Sequence, residues 1–464
     1  MPNKRQPFFR SSRLISIVTC AVLFILTGAL QACGGSTNAT SNSGTTITIA
    51  YGQYGPPPYY EQQWLDEVNK QFEAAHPSVK VKLLPIIADE TGYYTKLALM
   101  MRSSNPPDIV HEDSFLISSD VNAGYLLPLD NYLNSWPEYK QQWTPSMQQM
   151  TTFNDHNYAI MTSTDVRCIW YNKNIFQKAN LPSTWQPNNW ADIISAARAI
   201  KAKEPDVIPM NLYSGVPLGE AASMQGFEML LYGTNNPLYN YSTKKWVVSS
   251  PGFKDALNFV KTVYNPADLL GPTNDIELMP NANNVVPQQL IPESKLGIDI
   301  DGCWIARNWQ PKGTTPWPEW KDVMGTAKMP TEFGQDPKYV TLSGGWSYAI
   351  GAHSPNKDLA FEWLKLAHGK DLLTKHTVLI GGTSPRKDSV DNPSYKNIPM
   401  SAFSTSLLEY THFRPGFPAY PKISQEIGKA MQQVMQGQSP TDAMNAFSQA
   451  ATAIAGPDNV EQKS

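Results

Sequence analysis

Trp304 and Trp346 each follow glycine, in Gly302-Cys303-Trp304 and Ser343-Gly344-Gly345-Trp346. A chain without a Cβ there can approach a ligand closely, and each Trp is placed at a strand end. An aromatic face covers an apolar C–H surface. Carboxylates stand close by in sequence: Asp301 before Gly302, Asp165 after Thr162-Ser163-Thr164, and the pair Glu112 and Asp113. Arg386 follows Gly381-Gly382-Thr383-Ser384-Pro385. Carboxylates and guanidinium groups hydrogen-bond hydroxyls, each of which donates one bond and accepts others. Tyr54, Arg414 and Tyr420, in loops flanked by Gly or Pro, extend the set. Rings for C–H faces and polar groups for a hydroxyl rim suit a carbohydrate. The 13 Trp and 21 Tyr, against 17% charged residues, agree with that chemistry. Each residue also has a packing alternative. A strand-end Trp can be core, Asp165 or Asp301 can cap a turn, Glu112 and Asp113 can be solvated, and Arg386 can pair with Asp388.

Carboxylates in a sugar cleft also serve glycoside hydrolysis, where their separation and protonation decide the outcome. A glycosidase is therefore the competing class, and a binder of a polyol or peptide is a third. The chain has no Gly-x-Ser-x-Gly, no His-Glu-x-x-His, no Walker A pattern and no Cys-x-x-Cys. Its seven His are scattered without ligand spacing. The expectation is binding without turnover, with no metal and no cofactor.

These residues need elements to hold them. Ile47 to Tyr51 alternates as a strand, Leu65, Val68 and Phe72 fall at helical spacing, and Val79 to Leu83 alternates again. Tyr94 to Met101 reads as a helix, and Asp108-Ile109-Val110 as a short third strand with His111-Glu112-Asp113 past its end. That order predicts a parallel sheet with helices on its faces. Ligands of such sheets bind beyond the strands' C-terminal ends, which puts Tyr54, Glu112 and Asp113 at a site rim. Strands are predicted at 158–161 and 167–171 on either side of Asp165, and at 295–300 and 339–342. Helices follow at 189–200, 253–264, 358–367, 423–435 and 440–453, with an irregular connection over 266–292.

The ends and the balance of charge bound the setting. Lys4, Arg5, Arg10 and Arg13 precede an uncharged apolar run, Leu14 to Leu30. This pattern describes an export signal. Leu30-Gln31-Ala32-Cys33 resembles the lipobox of bacterial lipoproteins, which implies cleavage after residue 32 and a lipid on Cys33. The same run approaches a bilayer span and would alternatively serve as an uncleaved anchor; both routes export the rest. Residues 33–46 are small, polar and uncharged, which predicts a tether. The net charge of −3, without a basic block, argues against nucleic acid. Of four cysteines, Cys168 and Cys303 remain beyond the signal and Cys33. They can form a disulfide in an oxidising compartment or stay as small buried residues.

Seven stretches carry a resemblance over nearly the whole chain after the tether. They are Asn154 to Met161; Ile169-Trp170-Tyr171-Asn172-Lys173 through Phe176; Trp190-Ala191-Asp192; Leu296-Gly297-Ile298 through Trp304; Ser343 to Trp346 with Ser354-Pro355-Asn356-Lys357; Gly381 to Arg386; and Gly437 to Met444. In type and order they resemble the extracellular solute-binding family that includes the maltose-binding proteins. The resemblance implies an α/β, two-lobed periplasmic-binding-protein fold with discontinuous lobes and a hinge. Residues 45–167 plus 330–370 would form lobe 1, and 168–329 plus 371–464 lobe 2. It also implies a monomer that captures a carbohydrate by hinge closure and delivers it to the permease subunits of an ABC importer. Trp304 would lie on the second lobe and Trp346 on the first.

Overall fold

The computed structural model describes residues 44–54 and 57–463, and residues from Gly44 onward form one compact unit. The expected signal, Cys33 and most of the tether lie outside the described residues. Its last two residues, Thr45 and Thr46, are strand instead, paired with Val79 and Lys80.

The chain begins with β1 (Thr45–Gln53), α1 (Tyr60–Ala75), β2 (Val79–Ile87), α2 (Glu90–Met101) and β3 (Ile109–Asp113). β1 is parallel to both β2 and β3. Alternation along β1 sends Ile47, Ile49 and Tyr51 to one face and Ala50 to the other, so each face has its own apolar cluster. α1 buries Trp64, Leu65, Val68 and Phe72. α2 starts where the Asp89 carboxylate accepts the Gly92 N–H at 2.7 Å. β3 runs three residues further than the sequence suggested, because its partner strand continues alongside it. His111, Glu112 and Asp113 are therefore inside the sheet and buried, not in a rim loop.

After β4 (Ala159–Met161) the chain crosses to a second sheet. That sheet holds β5 (Arg167–Asn172), then, beyond α3 (Trp190–Lys203), β6 (Ile208–Asn211). α4 (Pro251–Val263), β7 (Leu296–Gly302) and β8 (Met324–Ala327) follow. Asn189 and Ser250 cap α3 and α4 through Asp192 N–H and Phe253 N–H, each at 3.0 Å. The connection over 266–292 is irregular but carries short helical turns of at most five residues.

β9 (Tyr339–Ser343) precedes β10 (Trp346–Ile350), which returns to the first sheet, followed by α5 (Lys357–Ala367) and α6 (Lys370–Ile380). β11 (Thr411–Phe413), parallel to β9, leads to α7 (Tyr420–Met435) and α8 (Pro440–Ala455). The strand orders are β2-β1-β3-β10-β4 and β8-β5-β7-β6. The return segment differs from 330–370 at both ends. Val340 and Leu342 of β9 pack in the second core, whereas Leu372 and Leu373 of α6 pack with Trp64 in the first. The Trp64 indole N–H donates to the Leu372 carbonyl at 2.9 Å, which ties α6 to α1.

Three segments cross between the sheets, and they touch. Thr164 N–H donates to Thr383 O at 3.1 Å, Thr164 Oγ1 donates to Gly344 O at 3.0 Å, and Gly344 N–H donates to Asp165 at 2.8 Å. Among the described residues no helix is long and apolar enough to cross a membrane.

Candidate functional site

Trp346 opens β10 rather than ending a strand. It pairs with Asp113 across β3, so register alone brings a ring and a carboxylate together. Gly345 before it has φ +150°, and a Cβ there would lie 2.1 Å from Ser163 O, so only glycine fits where the chain turns into β10. The half-buried Trp346 ring is 5.6 Å from Tyr54, 5.8 Å from Tyr93 and 6.2 Å from Tyr94. His111 stacks behind it at 4.6 Å, and burial lowers that imidazole to about 4, which leaves it neutral near pH 7. Tyr54 and Trp346 thus form an aromatic platform backed by Tyr93 and His111.

Polar groups meet this platform from both sheets. Tyr94 OH bridges Glu90 and Asp113. Arg414, just after β11, donates to Asp113 at 2.6 Å, to Glu220 at 3.1 Å and to Ser114 Oγ at 3.2 Å. Its guanidinium lies 4.6 Å from the Phe115 ring centre. Tyr420 OH reaches Glu228 at 2.6 Å and Glu220 at 3.2 Å. Glu220 precedes and Glu228 ends the π-helical segment Ala221–Glu228, a distortion that often marks functional positions. Burial first, and the Asp113 charge second, push Glu90 up to about 7. Burial pushes Glu228 up to about 8 and raises Asp113, which Arg414 draws back. Near neutral pH Glu228 and part of Glu90 keep a proton, so these two carboxyls donate as well as accept, the mixed inventory that hydroxyls need.

The second lobe contributes Trp304. It sits in the 3-10 segment Cys303–Trp309 after β7, half-buried against the second core. A Cβ on Gly302 would lie 2.2 Å from the Trp304 ring, so that ring folds back over its own turn. The Arg167 guanidinium covers it at 4.7 Å. Asp165, at the crossing, engages both Arg167 and Gly344 N–H.

The structure therefore brings together Tyr54, Asp113, Trp346, Arg414 and Tyr420, and holds Asp165 and Trp304 by Arg167. Three expected residues lie elsewhere. Glu112 is fully buried on the opposite face of β3 from Asp113, because neighbouring residues alternate, and burial and then Asp120 push its carboxyl up. Asp301 is saturated within the second lobe by Tyr213 OH at 2.9 Å, Gln225 at 3.0 Å and Gly302 N–H at 2.6 Å. Arg386 is 1% exposed and donates to Asp388 at 2.8 and 2.9 Å and to His368 O at 2.8 Å. Its packing partner is Trp143, away from the platform. Glu90, Tyr94, Arg167, Glu220 and Glu228 were not anticipated. The adjacent Tyr93-Tyr94 just after Glu90 was the one local hint; Glu220 and Glu228 meet Arg414 and Tyr420 only through the tertiary fold.

Other contacts join the two lobes directly. Tyr60 OH of α1 donates to Lys312 O at 3.1 Å, and Phe115 packs on Tyr420 at 5.9 Å.

The family model for bacterial extracellular solute-binding proteins matches residues 57–371. An uncharacterized ABC transporter extracellular-binding protein of Pyrococcus horikoshii is 25% identical over 397 residues, 82% of each chain. The diacetylchitobiose binding protein of Streptomyces coelicolor is 24% identical over 453 residues, 93% of this chain and 96% of its own. Among solved structures, an ABC transporter solute binding protein of Thermotoga lettingae bound with alpha-D-tagatose superposes with a TM-score of 0.72 at 22% identity. That match covers 88% of this chain and 99% of the other.

Proposed function

Because this chain belongs to the bacterial extracellular solute-binding protein family, we propose that it captures a carbohydrate between its lobes and delivers it to the permease of an ABC importer. One observation carries the reading: a partly exposed aromatic platform, Tyr54 and Trp346, adjoins a carboxyl and guanidinium set drawn from both lobes. Rings take the C–H faces of a pyranose, and Asp113, Glu90, Glu220 and Arg414 take its hydroxyls. A ligand that touches both walls favours the shut cleft by its differential affinity. The diacetylchitobiose for which the Streptomyces coelicolor relative is named supports the class. The protein acts outside the cytoplasmic membrane as a monomer, held by a lipid on Cys33.

A thermal-shift panel of mono-, di- and oligosaccharides, polyols and peptides tests this, followed by calorimetry and product analysis. The expected outcome is saturable binding of one carbohydrate class, a raised unfolding temperature and unaltered ligand. Polyol or peptide binding alone would replace the ligand class, and cleavage at enzymatic rates would move the protein to the hydrolases.

A further inference from the structure

Cys168 lies on β5 and Cys303 is the first residue beyond β7. The strands are antiparallel, with Asp301 opposite Cys168 and Gly302 opposite Arg167. Cys303 N–H then donates to Val166 O at 3.0 Å, which holds the start of the turn against β5. Both thiols are buried, and their sulfurs stand 3.0 Å apart. A disulfide needs an S–S separation of about 2.05 Å, so roughly one ångström of further approach completes the bond.

We propose that Cys168 and Cys303 are joined by a disulfide in the exported protein, and that this bond fixes the turn carrying Trp304 against the strand carrying Arg167. The proposal rests on the extracellular reading above, because such bonds persist in oxidising compartments. The oxidant is an exchange disulfide, held by an oxidoreductase or by a low-molecular-weight thiol. One cysteine thiolate attacks it, forming a mixed disulfide and releasing one thiolate of the oxidant. The second cysteine thiolate attacks the mixed disulfide, forms the Sγ–Sγ bond and releases the other. The two cysteines lose two protons and two electrons, and the oxidant gains them as two thiols. Both sulfurs are enclosed in the folded core, so exchange accompanies folding after export. Once closed, the bond is out of reach of soluble reductants.

The position suits a bond that orients a ring. Residues 167 and 168 are adjacent, as are 303 and 304, and Arg167 covers Trp304 at 4.7 Å. The crosslink would span 135 residues of chain, a long loop whose closure restricts the unfolded ensemble strongly.

The test uses full-length protein taken from cells that export it. Iodoacetamide is added in denaturant without reductant, and peptides are mapped by mass spectrometry beside a reduced sample. The expected result is a linked Cys168–Cys303 peptide pair, unmodified until reduction and doubly alkylated afterwards. The Cys168→Ala/Cys303→Ala double variant should unfold several degrees lower. If that variant does not accumulate, the wild-type map still decides. External protease on intact cells reports export separately. Exported protein with both thiols alkylated before reduction overturns the disulfide and leaves the extracellular reading standing. A linked pair in protein that binds no carbohydrate keeps the disulfide and overturns the ligand class.

Discussion

Trp346 and Arg386, both candidates for ligand contact, differ in how far the fold encloses them. Trp346 keeps part of its ring exposed beside Tyr54, whereas Arg386 is enclosed by Asp388, Glu138 and His368. Trp346→Ala should lower carbohydrate affinity about tenfold to a hundredfold, on the order of 1–3 kcal/mol. Arg414→Met should lower it as well, since Asp113 would then face the shut cleft without its cation. Breaking one side of a buried pair costs about 3–5 kcal/mol. Arg386→Met should instead lower the urea midpoint and leave affinity unchanged. Calorimetry and urea unfolding of the three variants check this; lost affinity in folded Arg386→Met would require the site to be redrawn.

At the scale of elements, buried carboxyls couple the lobes to pH. Glu277 ends the short helix Asn274–Glu277 and accepts Ser214 N–H, just beyond β6, at 2.8 Å. Burial outweighs that bond and raises its carboxyl from 4.5 to about 7. Between those values the folded protein keeps a proton that the unfolded chain has released. Its contribution to stability is full below about pH 4.5 and is lost as pH rises through about 7. Glu228, near 8, acts with the same sign. Wild-type protein should therefore lose more stability between about pH 5 and pH 8 than Glu277→Gln does. Urea unfolding across that range measures the gap, and a pH-independent gap would show that Glu277 is already ionised throughout.

For the whole molecule, the shared bonds of Thr164, Gly344 and Thr383 gather the three crossings into one hinge region, and Arg414, which lies beside Gly344, and Tyr60 add direct contacts between the lobes. Direct lobe contacts reduce the work that ligand must do to favour closure. The proposed lipid anchor belongs to a different segment. Cys33→Ala in the native host should abolish fatty-acid labelling and release the protein, while purified wild-type and variant bodies unfold at the same temperature. Wild-type protein with an intact Met1 N-terminus and no lipid would sink the anchoring proposal.

Periodicity and capping residues sufficed for most elements. Alternation marked β1 and β2, helical spacing marked α1, and Asn189 marked the start of α3. These signals are local, so a single sequence carries them. The order of motifs was enough for the family and the α/β, two-lobed fold. Which candidates face the cleft was decided elsewhere. Glu112 and Asp113 differ by one step of a strand that extends only because β10 pairs with it. Asp301 and Arg386 have the chemistry of ligand groups, but Tyr213, Gln225, Asp388 and His368 occupy them first. Tyr213, Gln225 and His368 are distant in sequence, whereas Asp388, two residues from Arg386, is the packing partner that the sequence itself offered. The boundary at α6 followed the Trp64–Leu372 bond, 308 residues apart, rather than any break in composition. Local physics determined the elements and their order; long-range pairing decided which of their side chains remained free to meet a ligand.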